Sequence, residues 1–215
     1  MLFNKLFHSE YFNIHYEPEN KELVELLSGV LLAEINRIMK FFKLTELKSP
    51  KEIFLYAKTE EYAKHISRYV TQYQDWMVAD TYDGNIHILS LDGCRSTNAH
   101  KKMEQDAYAK IIIHEFVHAC QQEINPNAYG CQWFWEALAT NLSGQVYADI
   151  PVLCDKEQLM FYYESLPDQY PISYHIGKYM LEKYSHEKLL EYVYEPEKLR
   201  EDVEEILRAV KETSE

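Results

Sequence analysis

The chain of 215 residues is 47% hydrophobic and carries a formal net charge of −13, so it can bury a core in one domain beneath an acidic surface. That charge excludes nucleic acid and anionic membranes as partners, because both demand a basic surface. No stretch of 18 apolar residues occurs, MLFNKLFHSEYF lacks the apolar core and small-residue end of a signal peptide, and Cys94, Cys120, Cys131 and Cys154 form no C-x-x-C pair, so a cytoplasmic location with free thiols is expected.

Glu10 to Tyr16 alternates as a strand does, and Glu19 to Phe42 is predicted to be an amphipathic helix with Leu23, Leu26, Leu27, Val30, Leu31, Ile35, Ile38 and Met39 on one side. Glu52 to Ala57 is a second strand. Thr59 stands where a cap would start a helix over Glu60 to Val70, with Glu60 and Glu61 near its positive end. Trp76 to Thr81 and Asn85 to Leu91 flank Tyr82-Asp83-Gly84, a hairpin signal, and the second arm alternates as a strand exposed on one face should. Asp92 to His100 then reads as a loop. No Pro or Gly interrupts residues 102 to 125, where Ile112, Ile113, Phe116, Val117 and Cys120 form the apolar stripe of a helix packed on the core. Glu123 to Gly130 carries Asn, Pro and Gly and stops that helix. Trp133 to Ala139 belongs to the next helical run, another helix opens near Tyr170, and Glu195 to Glu215 alternates acids with Lys and Arg like a solvated helix.

Within residues 102 to 125 lies His114-Glu115-Phe116-Val117-His118, an H-E-x-x-H pattern. At about 100° per residue the histidines sit one above the other, roughly 40° apart, and Glu115 lies roughly 60° to one side of His118. Two imidazoles so placed can hold one zinc ion while the carboxylate reaches over its open side. Eighteen positions after His118, Glu136 stands inside the apolar run WFWEALA, where a carboxylate needs a cation. Helices packed back to back would bring Glu136 toward the histidines. His, His, Glu and a water make an open, catalytic set, whereas structural zinc takes four protein ligands rich in Cys. Thr140 and Asn141, one turn past Glu136, are candidates to accept the outer N–H groups of the histidines. Cys120 faces the core, and Cys131 is a candidate inhibitory thiol.

HEFVH followed by the WFWEALA helix resembles the gluzincin metallopeptidases, which carry H-E-x-x-H on one helix and a Glu on the next. The resemblance implies an α+β, thermolysin-type fold: a small mixed sheet with an edge strand in an N-terminal α/β lobe of about residues 1–125, and a helical C-terminal lobe of about 126–215, together one metallopeptidase-like domain. It implies Zn2+ held by His114, His118 and Glu136, with Glu115 as general base. Ala137 stands where the family's W-x-x-E-G-[FL]-A pattern has Gly. Tyr170 to Tyr184 is similar to a later helix of the family, whose opening tyrosine hydrogen-bonds the oxyanion. That role falls on Tyr170, with Ser173 at the small-residue position and Tyr174 and His175 as neighbouring candidates. The strand along which gluzincin substrates lie falls on Asn85 to Leu91. No G-x-M-E-N segment precedes the zinc helix, so the grip on a free amino terminus is missing. An endopeptidase acting on a peptide or protein is therefore expected. The alternatives are a non-catalytic peptide- or protein-binding module on a peptidase-like scaffold and a structural protein whose histidines merely pack.

Overall fold

A computed structural model describes residues 3–128, 130–149 and 151–214. Tyr129 of the expected turn and Glu215 of the C-terminal run lie outside them. The chain divides into two compact units, Met1–Glu123 and Ile124–Glu215. Among the described residues no helix is long and apolar enough to cross a membrane.

The first unit is α+β. Strands β1 (Lys5–His8), β2 (Phe12–Tyr16), β3 (Lys51–Tyr56), β4 (Ala79–Tyr82) and β5 (Asn85–Leu89) form one mixed sheet in the order β1-β2-β3-β5-β4. The β2/β3 and β3/β5 pairs are parallel, and the hairpin pairs β1/β2 and β4/β5 are antiparallel. Helix α1 (Lys21–Phe41) makes the first crossover and α2 (Thr59–Ile66) lies on the second. Alternation along the strands sends Phe12, Ile14, Ile53, Leu55, Ile86 and Ile88 into the core, all fully buried. The opposite face is polar and aromatic. His15, Phe54 and His87 are register neighbours on β2, β3 and β5, and their rings stack with 4.8 Å between successive centroids. His65 of α2 stacks on His87 at 3.6 Å, while Asp80 of β4 accepts hydrogen bonds from the hydroxyls of Tyr62 and Tyr69.

Several sequence expectations change here. The edge strands are β1 and β4, not Asn85 to Leu91. Both arms of a hairpin can alternate alike, and the parallel pairing of β5 with β3 is what pushes β4 to the outside. Thr59 is the first residue of α2 rather than its cap, and its hydroxyl instead meets the Ser96 hydroxyl at 3.0 Å. Asp92 to Ser96 is helical, in α3 (Leu91–Ser96), because Ser90 caps it by accepting from the Gly93 N–H. Strand β1 had no sequence signal strong enough to separate it from the chain start. The long helix of this unit, α4 (Gln105–Ile124), follows the expected span closely.

The second unit is helical: α5 (Gln132–Leu142), α6 (Lys156–Phe161), α7 (Gln169–Lys183), α8 (His186–Tyr194) and α9 (Pro196–Ser214). Helices α5 and α7 meet closely where Gly177 lies against Ala137 and the side-chain amide of Asn141. Phe134 packs edge-on against Tyr192 of α8. The buried Leu199, Val203, Ile206, Leu207 and Val210 line one side of α9 at helical spacing.

Candidate metal centre

Helix α4 is committed on every side. Ile112, Phe116, Val117 and Cys120 are buried in the core, and Tyr108, fully buried, donates its hydroxyl to the Leu89 carbonyl at 2.9 Å, fastening the helix to the end of β5. The other side carries His114, Glu115 and His118, exposed by 6%, 6% and 9%. The histidine rings cross nearly at right angles with centroids 4.6 Å apart, and their Nε2 atoms face each other at 3.0 Å. His118 Nδ1 lies 2.7 Å from Gln121 Oε1. An amide oxygen only accepts, so the proton is assigned to Nδ1 and the lone pair to Nε2, the atom turned toward His114. Two nitrogens bound at about 2.0–2.1 Å to one tetrahedral ion sit roughly 3.3 Å apart. The observed spacing is therefore within a few tenths of an ångström of what a shared cation needs.

Glu115 is the next residue on the helix. Burial raises its carboxyl above the usual carboxylate range, the positive influence of His114 and His118 and the Thr81 hydrogen bond partly oppose this, and Asp80 adds to the rise. Its Oε2 accepts from Thr81 Oγ1 at 2.8 Å. The site thus holds a carboxyl poised to exchange a proton nearer neutral pH than a surface glutamate would.

Glu136 lies on α5 of the second unit, half-buried between the buried Trp133, Phe134, Trp135, Ala137, Leu138 and Ala139. Thr140 Oγ1 donates to the carbonyls of Glu136 and Ala137, and Asn141 Nδ2 to those of Ala137 and Tyr174. Both candidate partners for the histidines are thus engaged with backbone oxygens. Gln121 takes that role for His118, a partner the i, i+3 spacing on α4 could have revealed. Tyr170 is the second residue of α7 and half-buried. Its neighbour Ser173, fully buried, donates to the Tyr163 hydroxyl at 2.8 Å and serves packing. His175 Nε2 meets the Asp149 carbonyl at 3.0 Å, and Tyr174 packs on Tyr147. Burial and then the Glu136 charge push the Tyr147 hydroxyl up to about 12, which places this tyrosine, missed in the sequence, within the field of that carboxylate. Cys131, named as a candidate inhibitory thiol, directs its Sγ at the Pro196 carbonyl, and burial pushes its thiol up to about 12.

One ligand atom from each of His114, His118 and Glu136 lies within 4.8 Å of the other two, and no other trio of His, Cys, Asp or Glu is so gathered among the described residues. No protein-family model and no curated protein matches this chain, so its chemistry has to be read from these side chains.

Proposed function

We propose that this chain is a cytoplasmic zinc metallopeptidase of gluzincin-like fold, an endopeptidase that hydrolyses peptide bonds within peptides or proteins. The observation that carries this is the grouping of His114, His118 and Glu136 beside Glu115, a buried carboxyl on the same helix as the two histidines. The donor set suits the ion: two neutral imidazoles and a carboxylate are the ligands of open, catalytic zinc, while no cysteine joins them. His114, His118 and Glu136 would hold the zinc ion, which would supply Lewis-acid polarisation of a water and of the scissile carbonyl and would lower the pKa of that water toward 7.

The remaining work belongs to the protein. Glu115 accepts the proton of the attacking water and then delivers it to the departing amine. Tyr170 donates its hydroxyl to the charge developing on the carbonyl oxygen, and losing one such donor typically costs about 3 kcal/mol of transition-state stabilisation. An extended peptide lies along the edge strand β4 by backbone pairing. The four cysteines, all free and buried, support a reducing compartment, and the net charge of −13 argues against nucleic-acid or membrane partners.

Incubation with a degenerate peptide library, with and without chelator, tests this. Cleavage that chelator abolishes and that Glu115→Gln lowers by at least a hundredfold is expected. Full hydrolysis by Glu115→Gln would sink the mechanism. Tight peptide binding with no cleavage by the wild type would favour the non-catalytic binding module.

A further inference from the structure

Thr81 is the residue through which the outer strand of the sheet grips α4. Its hydroxyl lies 2.8 Å from Glu115 Oε2 and 3.0 Å from the Glu115 carbonyl oxygen. Its own carbonyl accepts from Gln122 Nε2 at 3.3 Å, and Gln122 Oε1 accepts in turn from the Gly84 N–H at 2.6 Å. Glu115 and Gln122 are seven residues apart, two turns along one face of α4.

The hairpin explains why Thr81 can serve this way. Asp83 and Gly84 both have positive φ, 50° and 72°, so they form a two-residue turn of the primed kind. In such a hairpin the flanking pair, Tyr82 with Asn85, exchanges hydrogen bonds, and pairs alternate from there. Asp80 with His87 is then a bonded pair, and Val78 with Leu89 another, as the 2.8 Å bond from the Leu89 N–H to the Val78 carbonyl bears out. Ala79 and Thr81 therefore turn their backbone groups away from β5, while their side chains face α4. Gln122 covers this outer edge at the Thr81 carbonyl. The side chain of Thr81 is left to reach the carboxylate.

We propose that Thr81 is a positioning residue for Glu115, an assignment that rests on the peptidase function proposed above. Its hydroxyl holds Oε2, the one carboxylate oxygen with a protein donor among the described residues, and so presents Oε1 as the oxygen that receives the proton. Thr81 belongs to the strand that a peptide would pair with, at Ala79 rather than at the Thr81 carbonyl that Gln122 occupies, so the base is aimed from the same element that seats the substrate. A rotated carboxylate misplaces the proton acceptor without weakening backbone pairing, so the effect falls on turnover rather than on binding.

The test compares Thr81→Val, which keeps the shape and loses the hydroxyl, with Thr81→Ser, which keeps the hydroxyl. Two quantities are read: the split between kcat and KM in the zinc-loaded protein, and the carboxyl carbon-13 resonance of Glu115 in metal-free protein, assigned by its absence from Glu115→Gln. We expect kcat to fall about tenfold to a hundredfold in Thr81→Val with KM within about twofold, Thr81→Ser to stay within about threefold of wild type, and the resonance to move in the first variant and return in the second. A Glu115 resonance that stays in place in Thr81→Val would overturn the proposal whatever the kinetics show. So would a loss that appears wholly in KM. Should Thr81→Val fail to fold, Thr81→Ala read at the same resonance decides the question. A wild type that cleaves nothing, with the resonance still moving, would overturn the peptidase function while the hold of Thr81 on the carboxylate stood.

Discussion

Replacing Gly177 by Ala reverses the usual effect of that substitution. Inside a helix, Gly to Ala ordinarily stabilises by about 1 kcal/mol. At Gly177 the added Cβ would lie 2.7 Å from the Ala137 carbonyl oxygen, 2.7 Å from Asn141 Nδ2 and 2.9 Å from Ala137 Cβ, some 0.7 Å inside the 3.4 Å where ordinary contact begins. Two of those atoms belong to the α5 backbone and to a side chain held by two hydrogen bonds, so α7 must move rather than α5 yield. Overpacking of that kind costs about 1–3 kcal/mol. Loosening the Asn141 bonds to the Ala137 and Tyr174 carbonyls adds about 1 kcal/mol. With the helix propensity set against these, Gly177→Ala should destabilise by about 1–3 kcal/mol, a fall in Tm of roughly 3–10 °C for a chain of this size. Gly29 on the exposed side of α1 is the control: nothing lies within 4 Å of its added Cβ, and Gly29→Ala should gain about 1 kcal/mol. Urea unfolding followed by far-ultraviolet circular dichroism measures both. A Gly177→Ala protein as stable as the wild type would refute the close approach of α5 and α7.

Three further outcomes follow from named contacts. Gln121→Met removes the acceptor at His118 Nδ1 and should weaken zinc about tenfold to a hundredfold in a chelator competition, while a value unchanged from wild type would mean that the proton assignment is wrong. Lys51 and Glu123 form a buried ion pair joining the start of β3 to the end of α4. Lys51→Met should cost about 3 kcal/mol by leaving the buried carboxylate only the exposed Lys48 ammonium, 3.5 Å from its other oxygen, and the double variant Lys51→Met/Glu123→Leu should recover most of it; an equal loss in both would contradict that. Burial, then the stacked His65, pushes His87 from 6.5 down to about 4, with Asp80 opposing and Arg68 reinforcing the shift and the Tyr56 hydroxyl 3.1 Å from its Nδ1. The unfolded chain then binds a proton that the folded one refuses, so stability is full above pH 6.5 and falls as pH drops toward 4. Allowing for solvent screening of a partly exposed ring, unfolding should become easier by about 2 kcal/mol between pH 7 and 4.5, and His87→Phe should remove that part of the slope.

Spacing alone carried much of this architecture. The positions of His114 and His118 four apart on an uninterrupted amphipathic run predict side-by-side rings, and the rings are 4.6 Å apart. The spans of α1 and α4 were readable because long helices repeat their apolar stripe many times, and that of α9 because its acids alternate with Lys and Arg. What could not be read depends on pairing between distant segments. Whether β4 or β5 lies at the edge is decided by which arm of the hairpin meets β3, and nothing local to residues 79–89 encodes that. Thr81 was invisible for the same reason: it became a partner of Glu115 only once β4 ran beside α4. Thr140 and Asn141 illustrate the converse, since polar residues inside a helix often bond back to its own carbonyls three or four residues earlier, and both do so here.

The most direct test is metal content by mass spectrometry in freshly purified protein, beside His114→Ala and Glu136→Ala at equal concentration. About one zinc per chain in the wild type, lost in both variants, is the expected result for a site built from His114, His118 and Glu136. A wild type that holds no zinc even after reconstitution, or a Glu136→Ala protein that keeps it, would contradict the three-ligand centre.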